Sequence, residues 1–199
     1  MSRRSINTGN IESGDNPIQP QGVQLLPMTM DDVPEIIELE NICFPEDPWP
    51  VEVYTDELCC NPNSFYWLVR PRESALGPGL PTVLANGGYN LEESSTHITT
   101  LATHPKWRRR KIGEWLLLNM LRLSRQAGSK LAYLEVRVDN IAALKMYLKL
   151  GFLQVKQLER YYRSKSGAAY VLVLYDLDSD SVWQPLLQAL DTIVIDLSE

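Results

Sequence analysis

Positive charge is concentrated in one short segment of a chain that is acidic overall. Five of the six residues from Lys106 to Lys111 are basic, whereas the whole chain has 19 basic and 25 acidic residues and a net charge of −6. The segment follows a predicted strand that Pro105 ends, and it precedes a predicted helix that begins near Ile112. Charge alone favours a solvated basic loop. The position favours a phosphate site, because backbone N–H groups and the helix dipole attract anions at the start of a helix.

A carboxylate lies in the middle of the next predicted strand, which covers residues 131–138. Alternation along a strand puts Tyr133, Glu135 and Arg137 on one face and the apolar residues on the other. A charged side chain on an inner strand has to be paired or to face a cleft. Two interpretations therefore remain open, a structural ion pair between Glu135 and Arg137 or a catalytic role for Glu135.

A phenol follows on the next predicted helix, which Asn140 can cap and which ends at Gly151. Tyr147 lies beside the apolar stripe of this helix. An aromatic residue in that position usually belongs to the core. A phenol at the mouth of a cleft can also donate a proton, so both roles remain open for Tyr147.

The composition argues against several classes of protein. No segment approaches the roughly 20 apolar residues that cross a bilayer, and the N-terminus lacks the apolar stretch of a secretory signal. An acidic chain is not typical of a protein that coats nucleic acid. His97 and His104 are too few and too badly spaced for a His-based metal site. Cys43, Cys59 and Cys60 do not suit a disulfide framework, so we expect reduced thiols and a cytoplasmic location.

The elements that position these residues are predicted in the order β-α-α-β-β-β-α-β-α-β-β. Strands in sequence, followed by strands that alternate with helices, predict a mixed α/β sheet with helices on both faces. The strands are predicted at residues 23–26, 64–69, 82–89, 97–102, 131–138, 152–158 and 170–177. The helices are predicted from residue 31 to the proline-rich loop 44–50, and at 51–58, 112–127 and 140–150.

The chain divides into three predicted segments. Residues 1–21 are rich in Ser, Asn, Gly, Pro and Gln, so we expect a disordered tail. Residues 22–178 form the predicted domain, and residues 179–199 form a C-terminal extension whose apolar stretch the pattern does not place. Gly87 and Gly88, inside a predicted strand of the domain, indicate a bulge or a close backbone approach.

Together, the basic loop, the carboxylate strand and the phenol helix resemble the GNAT superfamily of acetyl-CoA-dependent N-acetyltransferases, over roughly residues 23–177. Within the superfamily the chain resembles the RimI type, the ribosomal-protein N-terminal alanine acetyltransferases. The residues that carry the resemblance are Phe44-Pro45-Glu46-Asp47-Pro48-Trp49, Arg108-Arg109-Arg110-Lys111-Ile112-Gly113, Leu134-Glu135-Val136-Arg137 with Asp139-Asn140, Met146-Tyr147 with Gly151-Phe152, and Arg160-Tyr161-Tyr162.

The resemblance implies a fold and a reaction. The expected GNAT fold is an α/β (α+β) architecture with a mixed, mostly antiparallel central sheet of about seven strands and about four flanking helices. The expected reaction is direct attack of a protein's N-terminal α-amine on acetyl-CoA, with Glu135 as general base and Tyr147 as general acid. A ribosomal protein is the implied partner, and neither a metal, a nucleic acid nor a membrane is expected.

The resemblance also implies binding residues. The basic loop would hold the pyrophosphate of coenzyme A through backbone amides, and Trp49, Tyr161 and Tyr162 would bind the substrate's N-terminus. The full set implied for the cofactor is Leu101, Ala102, Thr103, Arg108, Arg109, Arg110, Lys111, Ile112, Gly113 and Asn140. Lys111 departs from the family pattern, which usually has a glycine that relieves steric conflict near the pyrophosphate.

Two alternatives to an N-terminal acetyltransferase remain. One is a GNAT enzyme that acts on lysine or on a small amine, and the other is a non-catalytic acetyl-CoA-binding module. Glu135 and Tyr147 together speak against the module, while the tyrosine pair at 161–162 and the Pro-Trp loop favour a peptide N-terminus over a small amine. An α-amine, with a pKa near 7.7–8.0, also needs less help to lose its proton than a lysine near 10.4.

Overall fold

The structure is a computed structural model that describes residues 20, 22–75, 77, 79–162 and 167–198. The predicted tail of residues 1–21 lies outside the described residues, apart from Pro20. In the described residues one sheet contains seven strands: β1 (Val23–Pro27), β2 (Ser64–Pro71), β3 (Ala85–Glu92), β4 (Ser95–Thr103), β5 (Leu131–Arg137), β6 (Leu153–Leu158) and β7 (Ala169–Leu174). Their order across the sheet is β1-β2-β3-β4-β5-β7-β6.

The sheet is mixed and mostly antiparallel, as predicted. Each pair of neighbouring strands is antiparallel except β4 and β5, which run parallel. Parallel neighbours need a crossover connection, and a helix supplies it here between residues 103 and 131. The fold prediction is therefore confirmed.

Five α-helices flank the sheet in the described chain, one more than predicted. They are α1 (Val33–Cys43), α2 (Val51–Cys60), α3 (Ile112–Gln126), α4 (Ile141–Lys149) and α5 (Asp180–Asp191). The additional helix is α5, which lies in the predicted C-terminal extension and packs against α3. None of the helices in the described ranges is long and apolar enough to cross a membrane.

The helices cover both faces of the sheet. Gly87 of β3 faces Met120 of α3, where an added Cβ would lie 3.0 Å from the methionine sulfur. The neighbouring residue, Gly88, faces the opposite side, where Tyr66 belongs to the hydrophobic cluster of α1 and α2. The larger cluster on the α3 side also includes residues of α4 and α5.

The predicted bulge at the glycine pair is confirmed. The register between β3 and β4 shifts between Gly88 and Tyr89. A Cβ at Gly88 would lie 2.2 Å from the ring of Tyr66, so no side chain fits there while the ring stays in place. Glycine at this position therefore lets the tyrosine ring lie flat on the backbone of β3.

The third strand begins and ends later than predicted, at Ala85 and Glu92 instead of residues 82 and 89. It continues into β4 through a two-residue turn, in which Glu93 has a φ of 42°. Such turns favour Asn or Gly at positive φ. The sequence Glu-Glu-Ser-Ser around this turn carries neither residue, which is why the pattern did not reveal it.

We expect replacement of Gly88 to destabilise the fold. In Gly88→Ala the new methyl group has to displace the buried Tyr66 ring, and overpacking of this kind costs about 1–3 kcal/mol of unfolding free energy. Urea denaturation measures the loss. Gly77→Ala is the matched control, because nothing lies within 4 Å of its Cβ position. Equal stabilities of the two variants would contradict the close approach.

Candidate active site

A cleft opens in the sheet where its two parallel strands separate. The ladder between β4 and β5 contains only the pairs Ser95–Leu131, Thr96–Ala132 and His97–Tyr133. Beyond them β4 continues to Thr103 and β5 to Arg137 without further pairs between the two strands. In open α/β sheets, ligands bind in crevices at the carboxyl ends of strands. The two facing strand edges in this cleft can form hydrogen bonds with an extended ligand.

The basic loop lies at the end of this cleft, between β4 and the first turn of α3. The first helical hydrogen bond runs from Trp115 N–H to the carbonyl of Lys111. The amides of residues 112–114 precede it and have no partner within the helix, as at any helix start. A Cβ at Gly113 would lie 2.9 Å from Oγ1 of Thr103, so glycine allows the helix to begin directly against the end of β4. These features make the loop a candidate anion site.

Lys111 adopts the conformation that a glycine would adopt most easily. Its φ is 62° and its ψ is 8°, and it is the N-cap residue of α3. This left-handed conformation costs a residue with a side chain on the order of 1 kcal/mol relative to glycine. The structure thus gives the physical reason for the usual glycine, and Lys111 accepts the strained conformation in its place.

The arginine side chains of the loop bind within the protein. Arg108 Nε donates to the carbonyl of Thr103 at 3.1 Å. Arg110 stacks on the ring of Trp107, with 4.5 Å between the guanidinium carbon and the ring centroid, and donates to the carbonyl of Asp196 at 2.9 Å. These contacts are to neutral groups and include no carboxylate, so they leave the positive field of the loop in place. Burial and the charges of Lys106 and Arg108 lower the pKa of His104, because both disfavour a further positive charge on the imidazole.

Glu135 lies on the β5 edge of the cleft, with a histidine as its partner. His97 Nε2 is 2.8 Å from Glu135 Oε2, and Tyr161 also forms a hydrogen bond with this carboxylate. Burial acts to raise the pKa of Glu135, but the hydrogen bonds and the charge of His97 outweigh it and hold the pKa below its ordinary value. Glu135 is therefore ionised at neutral pH.

Glu135 and Arg137 lie on the same face of β5, and the structure shows which charged groups each of them contacts. The predicted alternation is observed, with Tyr133, Glu135 and Arg137 half-buried on one face. Arg137 pairs with Asp139 at 3.1 Å and with Glu46 at 3.6 Å, while Glu135 pairs with His97. The ion pair of Glu135 is thus with His97, and this contact favours a role for Glu135 other than a structural pair with Arg137.

The sequence pattern missed His97, which stacks on Tyr133 with ring centroids 4.5 Å apart. His97 and Tyr133 are paired across β4 and β5, so their side chains share a face. The one sequence signal was the alternation of β4, which places His97 with the half-buried residues. This alternation identifies His97 as a partner of Glu135 only when β5 is already known to be the neighbour of β4.

Tyr147 lies on α4, within the large hydrophobic cluster, and only 6% of its surface is exposed. Its ring meets Phe152 edge to face, with the centroids 5.6 Å apart. Burial, together with the nearby phenol of Tyr162, raises the pKa of Tyr147 well above its ordinary value. The phenol is therefore protonated at neutral pH. Among the described residues, no hydrogen bond joins Tyr147 to Glu135.

Arg137 of β5 contacts both the tyrosine pair and the loop of Trp49, which belong to the predicted substrate site. The rings of Tyr161 and Tyr162 are 4.9 Å apart, and the guanidinium carbon of Arg137 is 5.7 Å from the ring centroid of Tyr162. Arg137 also pairs with Glu46, which belongs to the loop of Trp49. One arginine therefore links the two loops that frame the carboxylate.

A buried carboxylate that the sequence pattern missed anchors the Trp49 loop. Only 2% of Glu40 is exposed, and it accepts hydrogen bonds from Trp49 N–H at 3.1 Å and from Tyr54 Oη at 2.9 Å. Burial raises the pKa of Glu40 despite these bonds. Glu40 follows Ile36 by four residues and so lies on the apolar face of α1, a signal that could have revealed it.

Asn140 caps α4 as predicted, since its Oδ1 accepts a hydrogen bond from Ala143 N–H at 3.2 Å. The remaining predicted cofactor residues lie around the cleft. Leu101 and Thr103 are half-buried at the end of β4, Ala102 between them is buried, and Ile112 points into the core. Among the described residues, no group of three or more His, Cys, Asp or Glu side chains could hold a metal ion.

Comparison with known proteins identifies the class that this fold and cleft define. The chain belongs to the acetyltransferase (GNAT) family, whose sequence profile matches residues 33–152. It is therefore an acetyl-CoA-dependent acyltransferase. Within the family the chain is 34% identical to N-alpha-acetyltransferase RimI of Mycobacterium tuberculosis (strain ATCC 25618 / H37Rv), over 146 residues that cover 73% of this chain and 87% of the relative. The chain is thus of the RimI N-alpha-acetyltransferase type.

Other relatives share the fold. An uncharacterised protein, ML0378 of Mycobacterium leprae (strain TN), is 33% identical over 73% of this chain, which spans only 38% of that longer protein. The ribosomal-protein-S18-alanine N-acetyltransferase of Escherichia coli has a TM-score of 0.66 and 19% identity, over 77% of this chain and 94% of its own. Arabidopsis thaliana NAA60, whose structure was solved with acetyl-CoA, has a TM-score of 0.66 and 15% identity, over 77% of this chain and 98% of its own.

We expect His97 to control the charge state of Glu135. In His97→Ala the pKa of Glu135 rises, because the variant removes a hydrogen bond and a positive charge while the burial remains. An NMR titration of the Glu135 carboxyl carbon measures the change. His97→Gln is the control, since its amide still donates but carries no charge, and we expect a smaller rise. An unchanged Glu135 pKa in His97→Ala would refute the role of this pair.

Proposed function

We propose that the protein transfers the acetyl group of acetyl-CoA to the N-terminal α-amine of a protein, with Glu135 as the base. The observation that carries this proposal is the position of the Glu135 carboxylate on the β5 edge of the β4–β5 cleft, 2.8 Å from Nε2 of His97. A base must be ionised to accept a proton and must lie where the amine reacts. The cleft and the anion site at its end supply a place for the thioester beside it.

In this proposal the cofactor lies between the two separated strands. The amides of residues 108–113 bind the pyrophosphate, since the helix start and the positive loop favour an anion. The extended arm of the cofactor follows the open edge of β4 at residues 101–103, whose backbone groups have no partner on β5. Asn140 uses Oδ1 to cap α4 and keeps its amide NH₂ group to donate to the cofactor.

The chemical step needs an amine that has lost its proton. A lowered pKa makes Glu135 a weak base, which accepts a proton only from a group that gives it up readily. At pH 7.5, roughly a quarter to a third of α-amines are already neutral, against about one in a thousand lysines. The environment of Glu135 therefore favours an α-amine over a lysine as the substrate.

Tyr147 is the proposed acid. After the amine attacks the thioester carbonyl, the C–S bond breaks, the proton of the amine goes to Glu135 and the coenzyme A thiolate leaves. A phenol holds its proton at neutral pH even at its ordinary pKa of about 10, and burial raises the pKa of Tyr147 further, so a proton is present on Tyr147 when the thiolate develops. His97 is a positioning residue in this scheme, because it acts on the substrate through Glu135.

The proposed acceptor is a peptide N-terminus that lies between the Trp49 loop and the tyrosine pair. The edge-to-face rings of Tyr161 and Tyr162 and the link from Arg137 to Glu46 give this side of the cleft two walls suited to a peptide. The E. coli structural neighbour is named for the alanine of ribosomal protein S18. An N-terminal alanine of a ribosomal protein, in the cytoplasm, is therefore the proposed substrate.

We expect Glu135→Gln to lose activity in a way that depends on pH and on the substrate. Loss of a general base costs about 10²–10⁴-fold at neutral pH. At about pH 9 most α-amines are neutral, whereas most lysines remain protonated. The variant should then recover much of its kcat/KM on an N-terminal alanine peptide and stay poor on an N-terminally blocked peptide with one lysine.

Two results would contradict this assignment. An equal loss on both peptides at every pH would mean that Glu135 only positions the substrate. Higher wild-type activity on the lysine peptide would reject the α-amine as the acceptor. The matched control is Glu38→Gln, which removes an exposed carboxylate of α1 and should leave kcat/KM unchanged.

We expect Tyr147→Phe to lower kcat by about tenfold to a hundredfold without weakening acetyl-CoA binding. The variant keeps the ring that packs on Phe152 and removes only the hydroxyl group that donates the proton. Turnover, calorimetric affinity and thermal unfolding are compared with those of Tyr175→Phe, which removes an exposed phenol. Retained kcat together with a lower melting temperature would assign Tyr147 to the core alone.

A further inference from the structure

The C-terminal extension runs along α3 from one end of that helix to the other. It is held at each end by an arginine that stacks on a tryptophan and binds backbone carbonyl groups. Arg125, in the last turn of α3, donates to the carbonyls of Leu177 and Asp178 at 3.1 Å each, and its guanidinium carbon is 5.4 Å from the ring centroid of Trp183. This contact fastens the start of the extension.

Arg110 makes the corresponding contact at the opposite end of α3, in the basic loop. Its guanidinium group stacks on Trp107 and donates to the carbonyls of Asp196 and Ser198. The carboxylate of Asp196 accepts hydrogen bonds from Ser198 N–H at 2.9 Å and Ser198 Oγ at 2.7 Å. These bonds close a turn that holds both carbonyls toward the arginine.

Two side chains after α5 belong to the core. Ile193 and Ile195 are each 6% exposed and lie in the large hydrophobic cluster that also contains Trp107 and Ile112. These side chains and the bonds from Arg110 to Asp196 and Ser198 hold the segment after α5 beside the basic loop. Their position makes the conformation of the loop depend on a segment that lies outside residues 33–152, the part of the chain that the family profile matches.

Arg110 lies between two residues of the loop that have unusual backbone conformations. Its two neighbours, Arg109 and Lys111, have φ values of 65° and 62°. Residues with side chains adopt such conformations only where the surrounding structure holds them. Bonds from the Arg110 side chain fix the residue between the two strained ones, and thereby fix the direction of the amide groups around it.

We propose that residues 192–198 are a brace for the cofactor loop, with Arg110 as the positioning residue through which the brace acts. Without the brace, the backbone of residues 109–111 relaxes and its amides no longer converge on one anion. The inference rests on the proposed function in one respect, because it takes this loop to be the site of the cofactor's pyrophosphate.

The test compares acetyl-CoA with S-acetylpantetheine, which has the thioester but no pyrophosphate. We expect Arg110→Ala, and a chain that ends at Ile193, to raise the KM for acetyl-CoA about fivefold to tenfold, which is the scale of one ordinary hydrogen bond. The KM for S-acetylpantetheine should not change. The two changes combined should give no further loss, because both remove the same interaction.

Arg110→Lys separates the brace from a direct phosphate contact. Lysine keeps the charge but lacks the planar group that stacks on Trp107 and binds two carbonyls. If residues 192–198 act as a brace, Arg110→Lys should raise the KM for acetyl-CoA as much as Arg110→Ala does. A lysine variant close to the wild type, or a shortened chain that binds acetyl-CoA as well as or better than the wild type, would overturn the proposal. If the shortened chain does not fold, the lysine and alanine variants still decide.

Two further variants complete the experiment. Arg125→Ala loosens the extension at its far end, and we expect a lower melting temperature with the KM for acetyl-CoA within about twofold of the wild type. Gly113→Asp places a negative charge in the anion site itself. If Gly113→Asp leaves the KM for acetyl-CoA unchanged, the cofactor loop is wrongly assigned. If it raises this KM while the Arg110 variants do not, only the brace is wrong.

Discussion

The separation of β4 from β5 is the constraint on which the rest of the site depends. A parallel pair must be joined through a crossover, so the chain has to leave the sheet at the end of β4 and return at the start of β5. Here it returns as α3, whose first turn therefore lies at the open end of the gap. The same gap leaves backbone groups of both strands without ladder partners past His97 and Tyr133. One feature of topology thus creates a slot for an extended ligand, an anion site at its end and a free strand edge that carries Glu135.

The sequence pattern predicted the structural features that depend on residues close together in the chain. The strands and the first four helices, the cap at Asn140 and the bulge at Gly88 each follow from residues a few positions apart, and each is confirmed. The partner of Glu135 lies 38 positions away in His97, and no local pattern specifies which two strands become neighbours. The helix α5 was missed for a related reason, since its apolar residues match a surface of α3 that exists only in the folded chain.

In the basic loop, charge and backbone shape contribute separately to the proposed anion site. Charge alone favoured a solvated loop, whereas the position before a helix favoured an anion site, which the helix start and the close approach at Gly113 support. Yet the side chains of Arg108 and Arg110 are committed to carbonyl groups of the protein itself. The backbone amides of the loop, whose direction depends on unusual φ angles at Arg109 and Lys111, remain available to an anion, as do the exposed side chains of these two residues. Arg108 and Arg110 therefore serve the proposed site mainly by shaping its backbone and by supplying a field that acts over several ångströms.

The proposed base, Glu135, and the proposed acid, Tyr147, differ in the surroundings that set their pKa values. Burial acts on both groups in the same direction, since it disfavours the charged form of a carboxyl and of a phenol alike. His97 and Tyr161 reverse its effect at Glu135, whereas Tyr147 has no such partner among the described residues, and the nearby Tyr162 phenol strengthens it. The two pKa values are thus driven apart, so that one group stays ionised and the other protonated across neutral pH, which is the arrangement that acid–base catalysis needs. The low pKa that keeps Glu135 ionised also limits its strength as a base. A site built in this way suits an amine that is partly neutral in water, and this is the physical reason to place an α-amine, and not a lysine, beside the thioester.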